Sequence, residues 1–244
     1  DHTITADGGT VQLASSTITG GTIQATGAGG LVSILSSSSL DGVKLNATTT
    51  TVTTNTSLTV KNRLELNGTL TMRNMGGSTF LYFDGTQMLS GTAQIVFDGT
   101  SASNFLYARG TSGNPATLTL GPGITIHGSQ GGSVRGYSNN DSLINQGTIN
   151  ADTSGKTITV SGFNWTNAGL LKAEHGGTLS LSGTFTQTGA GTVDGTGSTL
   201  SFTSATVVNT DHTITADGGT VQLVSTSITG GTLQATRGSV SILS

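Results

Sequence analysis

The chain has 244 residues, a formal net charge of −3, 9% charged side chains, 38 glycines, two prolines and no cysteine. This composition excludes a disulfide framework or a thiolate metal site, and argues against both a helical protein and a charge-driven disordered one. The nine basic residues are scattered and give no footprint for nucleic acid or anionic lipid, and no apolar run approaches the roughly 20 residues that span a bilayer, so no nucleic-acid partner and no direct membrane insertion are expected.

The first segment is also the most informative. Residues 1–26 return at 211–236 with 22 of 26 positions identical; the differences are Ala14 for Val224, Ser16 for Thr226, Thr17 for Ser227 and Ile23 for Leu233. The text at 26–31 is then shortened by two residues in the second copy. The expected organisation is one continuous domain over 1–244, with 1–210 a first long repeat and 211–244 the start of the next. A chain that begins at an internally recurring point reads as an excerpt of a longer secreted protein whose export signal lies elsewhere, and the lack of cysteine fits passage across an envelope.

Within that long repeat a shorter period sets the fold. Val11 and Leu13 recur 21 residues later as Val32 and Ile34. Between about 46 and 141 apolar triplets persist, as in Leu64-Glu-Leu66, Ile95-Val-Phe97 and Ile124-Thr-Ile126, but their spacing stretches and longer turns are expected. From 142 onward the period is regular: Thr157, Thr178, Thr199 and Thr220 step by 21 residues. One residue after each comes Ile158, Leu179, Leu200 or Val221, and three after comes Val160, Leu181, Phe202 or Leu223, so alternation puts the apolar members on one face. Gly155, Gly176, Gly197 and Gly218 precede each Thr by two residues and mark a turn that needs positive φ. A second strand is expected at Ile149, Leu171, Val193 and Ile214, and a third apolar position at Phe163, Phe185, Val207 and Ile228.

Three short strands per coil of about 21 residues stack into an all-β, right-handed parallel β-helix, a single-stranded β-solenoid. A 210-residue repeat is then about ten coils, or roughly 50 Å of axis at the spacing of paired strands.

The Asn-Gln-Gly-Thr-Ile-Asn-Ala text at 145–151, its echoes at Asn167 and Gly191, and the Gly-Gly-Thr-Leu/Val-x-Leu turns resemble the repeats of filamentous-haemagglutinin-like exoproteins and autotransporter passenger domains of bacteria. The resemblance covers most of the chain and implies secretion to the extracellular space or the bacterial outer surface, an extended stalk and adhesion. It names no receptor, and neither a secretion cap nor a translocator barrel is present in these residues.

Candidate residues fall into a few groups. Asn145, Asn167 and Asn209 occupy similar coil positions, with Thr188 in the intervening turn, and are expected to form a structural row of stacked amides; the other reading is a carbohydrate-contacting row. FLYFDGT at 80–86 and FLYARGT at 105–111 bring Phe80, Tyr82, Phe83, Phe97, Phe105 and Tyr107 together with Arg73, Arg109 and Arg135. About half of these rings fill the core, and the outward members, Tyr82 and Tyr107 with Arg73, Arg109 and Arg135, are the candidate binding patch. Asp-Gly pairs at Asp7, Asp84, Asp98, Asp194 and Asp217 read as turns, and no metal or cofactor is expected. His127 and His175 show no acidic or nucleophilic partner at a suggestive spacing, and His2 and His212 are copies of one another. Sequons at Asn46, Asn55, Asn67, Asn140 and Asn164 are those a Ser/Thr-rich chain produces by chance.

The functional expectation is a non-enzymatic stalk, fibre or adhesin segment. Its contacts would be adjacent repeats or copies of itself end to end, and surface glycans or a receptor. The alternatives are a β-helical polysaccharide lyase or glycosidase, which needs clustered carboxylates, and an ice-binding solenoid suggested by Thr157 with Thr159, Thr178 with Ser180 and Thr199 with Ser201.

Overall fold

The computed structural model describes residues 2–243, so Asp1 and Ser244, the two ends of the expected domain, lie outside the described residues. Every strand-to-strand ladder in it is parallel, and no helix is present among the described residues. The chain winds into a β-solenoid of about 11 turns, with coils about 22 residues apart and three strands to a coil. Parallel pairing of sequence-distant strands normally needs long crossovers. Here the crossover is the rest of the coil itself, which supplies the other two faces.

The expected columns are present. Ile158, Leu179, Leu200 and Val221 stand in register and are buried, and Val160, Leu181, Phe202 and Leu223 form the next buried column. The second column runs back through Val134, Leu106, Leu81 and Leu58. Each inward side chain therefore meets its counterpart one coil away, and the period-2 pleat leaves Thr and Ser on the outer surface. Gly155, Gly176, Gly197 and Gly218 have φ of 69°, 80°, 83° and 82°, the left-handed turn that their register demanded. The glycines of those five Asp-Gly pairs, and of a sixth at Asp41-Gly42, likewise have positive φ.

The stretched period of the middle has a simple cause. Leu64, Leu89, Leu120 and Asn145 form one column with steps of 25, 31 and 25 residues. The longest step contains a small loop closed by an antiparallel bridge between Thr111 and Asn114. The core columns continue unbroken while the extra residues leave at the corners.

Three details differ from the sequence reading. Val193 sits beside Ala173 and Ala216, whereas Gly191 fills the place between Leu171 and Ile214. A shift by two residues keeps the side chain facing inward, so alternation alone did not distinguish the two registers. Phe163 is not the core member of the third column: Trp165 pairs with Phe185, their ring centroids 4.0 Å apart, and Phe163 is exposed. Finally, the 210-residue repeat is not ten coils. Val11, Val32, Thr50, Leu70, Ile95, Ile126, Ile149, Leu171, Gly191 and Ile214 form one column, so Ile214 lies nine coils beyond Val11. Ile4, the counterpart of Ile214 in the first copy, lies on the face preceding Val11. The long repeat therefore advances nine coils and one face. The second copy is turned by a third of a revolution relative to the first.

Candidate functional site

The outward residues of two neighbouring strands, Thr79–Asp84 and Asn104–Arg109, form the most unusual surface of the solenoid. Their register places Phe80 beside Phe105, Tyr82 beside Tyr107 and Asp84 beside Arg109, while Leu81 and Phe83 point inward. Phe80, Tyr82, Phe105 and Tyr107 stand nearly parallel, with neighbouring centroids 5.4–5.7 Å apart. Such arrays add roughly 0.5–1.5 kcal/mol per pair beyond area burial. Phe83 and Phe97, from the same group of candidates, are core residues with no exposure.

Two arginines close over the rings. The Arg109 guanidinium lies 3.9 Å from the Tyr82 ring centroid and makes a bidentate pair with Asp84 at 2.6 and 3.0 Å. Its hydrogen bond to Asp84 holds Arg109 still more firmly protonated than usual. Arg135, one coil further, lies 5.1 Å from the Tyr107 ring and donates to the Tyr107 hydroxyl at 2.9 Å. Burial pushes the Tyr82 phenol above its ordinary value despite the nearby Arg109. Tyr107 keeps only 5% of its surface, because Tyr82, Phe105, Arg135 and Tyr137 surround it.

The structure thus brings together Tyr82, Tyr107, Arg109 and Arg135. It does not include Arg73, which stands in register with Asp98 on a different face, 4.0 Å from that carboxylate. The sequence reading missed Tyr137, which meets Tyr82 and Tyr107 edge-on and is 58% exposed. Its signal was present in the spacing, since Tyr137 follows Arg135 by two residues and so falls on the same outward face.

The amide row is a real column, with one substitution in its membership. Asn145, Asn167 and Gln187 stand in register, and Asn209 follows directly after the Thr186–Val208 pair; Gln187, not Thr188, fills the intervening place. All four are buried. The Asn145 Nδ2 donates to Asn167 Oδ1 at 2.7 Å, and Asn167 Nδ2 donates to Gln187 Oε1 at 3.3 Å. Each also donates to a carbonyl of its own turn: Gly147, Gly169, Gly189 and His212 respectively. The row closes one corner of the solenoid from within, so it is not a surface for carbohydrate.

Two polar clusters lie elsewhere. His127 Nδ1 is 3.0 Å from Asp152 and its Nε2 is 3.0 Å from Gln94, a carboxylate partner 25 residues away that the sequence spacing did not suggest. On the same face Lys172 pairs with Glu174, holding that carboxyl below its usual range, and Asn150 donates to it at 2.6 Å. Among the described residues no group of three or more His, Cys, Asp or Glu side chains is placed to hold a metal ion. Ser201, in the threonine-serine rows, is buried and hydrogen-bonds Gln222, so the row is interrupted there. No protein-family model matches the chain, and neither a curated protein nor a solved structure does.

Proposed function

We propose that this chain is a stiff, non-enzymatic segment of a secreted or bacterial cell-surface repeat protein, serving as stalk or fibre and carrying an adhesive face. The observation behind this reading is the uninterrupted core: columns of buried side chains run from coil to coil between Leu13 and Leu223, so no flexible linker divides that stretch. A solenoid whose coils contact only their neighbours lengthens by adding repeats without redesign. The near-identical second copy fits growth of that kind. The aromatic and arginine face supplies a contact surface of the sort enriched at binding interfaces.

Antibodies raised against residues 2–243 test the location. They should label intact producing cells or the culture medium, and electron micrographs of the whole gene product should show threads. An epitope reachable only after cell lysis would overturn the surface reading. The carbohydrate-active enzyme remains the competing class. Cleavage of pectins, glucans or mannans that is abolished by changing Asp152 or Glu174 alone would replace the stalk reading with it.

A further inference from the structure

The expelled Phe163 has a consequence for recognition. Between Gly162 and Trp165 the strand Thr157–Asn167 carries two residues, Phe163 and Asn164, opposite the single Thr184 of the next coil. Asn164 is held at φ 55°, in the left-handed region that costs non-glycine residues free energy. Bulges of this kind re-aim a side chain, and strained backbone gathers at ligand sites. Here the bulge seats Trp165 in the core and turns Phe163 outward, 51% exposed. Phe163 and Tyr137 then form two aromatic walls of a hollow of about 220 Å³ whose lining also includes Arg135, Asn139, Ser161 and Ser182. That volume is below the roughly 300–1,000 Å³ of drug-sized sites and suits one sugar ring.

We infer that this hollow binds an acidic saccharide, with a carboxylate-bearing sugar seated between Tyr137 and Phe163 and its carboxylate on Arg135. The aromatic walls match the C–H faces of a pyranose, and the serine and asparagine side chains match its hydroxyls. The charge is set by Arg135, which has no carboxylate within ion-pair distance among the described residues; neighbouring Arg109 is already neutralised by Asp84. Arg135 gives one donor to Tyr107, and a planar guanidinium keeps others for a bidentate carboxylate. A second copy of this chain is disfavoured as occupant, because it would bring another unpaired Arg135 to the same face. The inference deepens the adhesive reading above, yet stands or falls separately from the protein's location.

Calorimetry and saturation-transfer NMR with trigalacturonate, and with its neutral methyl ester, test it on the whole chain. Trigalacturonate should bind measurably and the ester about tenfold more weakly, the loss expected for one charge-assisted hydrogen-bonded pair. Arg135→Gln should reduce acid binding about tenfold and remove the preference for the acid over the ester. Phe163→Ser should weaken both ligands together while leaving the urea-unfolding midpoint unchanged, since the ring is outside the core. No binding of trigalacturonate at millimolar concentration, equal binding of acid and ester, or full binding by either variant would overturn the assignment. Surface labelling of cells with no saccharide binding would reject this site alone, whereas binding by a protein found only inside cells would reject the stalk reading alone.

Discussion

Replacing Asn167 by Ala tests whether the buried amide row holds the solenoid together. Asn167 accepts one hydrogen bond, from Asn145, and its amide nitrogen faces Gln187 Oε1, Gly169 O and Ala190 O at 3.2–3.3 Å. Two amide protons serve those three acceptors, so the substitution removes about three bonds. It leaves buried polar atoms of the neighbouring coils without partners. At about 1 kcal/mol per lost bond, with a further penalty for orphaned buried groups, the cost is about 3–5 kcal/mol. Asn209→Ala provides the internal comparison. Asn209 makes one side-chain bond, to His212 O, and its Oδ1 already has no partner, so about 1 kcal/mol is expected. Trp165 is the only tryptophan, is buried, and lies two residues before Asn167, so its fluorescence reports unfolding of these coils. With a urea slope of about 3 kcal/mol/M, Asn167→Ala should lower the midpoint by about 1–1.7 M and Asn209→Ala by about 0.3 M. Equal shifts for the two variants, or a cost below about 1 kcal/mol for Asn167→Ala, would refute the argument that the row is structural.

Three further outcomes follow from the core. Leu200→Asp places a charge with no partner between Leu179 and Val221, and should leave the protein unfolded or insoluble, as seen by circular dichroism and sedimentation. Thr50 lies in an apolar column between Val32 and Leu70, and its buried hydroxyl has no hydrogen-bond partner; Thr50→Val should raise stability by about 1 kcal/mol in the same urea assay. Asp141 is buried; burial pushes its carboxyl up, but hydrogen bonds from the Ala116 and Ser138 amides and the Ser138 hydroxyl prevail and hold it below the usual range. A depressed folded value means its stabilisation is complete above the unfolded value of about 3.9 and is lost as the pH falls through the folded one. The urea midpoint of Asp141→Asn should therefore lie well below that of the native chain at pH 7 and approach it on acidification below pH ~4. A gap that stays constant with pH would show that the charge is not what matters.

The period of the sequence was enough to specify the inward columns from 157 onward and the left-handed glycine turns, because alternation and a fixed step leave one shared face. The aromatic patch was legible in part. Tyr82, Tyr107, Arg109 and Arg135 share a face through strand parity, but Arg73 has the right residue type and sits a face away, and only the winding of the coil reveals which strands are neighbours. Phe163 and Trp165 are both apolar and, two residues apart, share one parity, opposite to that of the inward Ile158 and Val160. The choice between them was made by packing, with the larger ring filling the column against Phe185 and a bulge absorbing the one extra residue. His127 and Asp152 meet for a similar reason, being far apart in sequence and one coil apart in space.

The two copies of the opening segment separate the contributions most sharply. Ser15 and Ser225, Gly20 and Gly230, and Gly21 and Gly231 have matching positive φ, at 49° and 47°, 65° and 75°, and 77° and 70°. The local sequence by itself therefore determined the backbone turns and the strands between them. Burial did not follow from it: Ile4 is 42% exposed, whereas its counterpart Ile214 is fully buried in an identical local sequence. Ile214 has coils stacked on both sides, through Gly191 and Leu233, and Ile4 has one in these residues, through Ile23. Apolar burial in a solenoid comes from neighbouring coils, and the face a residue occupies comes from the summed lengths of all the coils before it. Only the tertiary winding sets that sum, which is why the same words stand on different faces in the two copies.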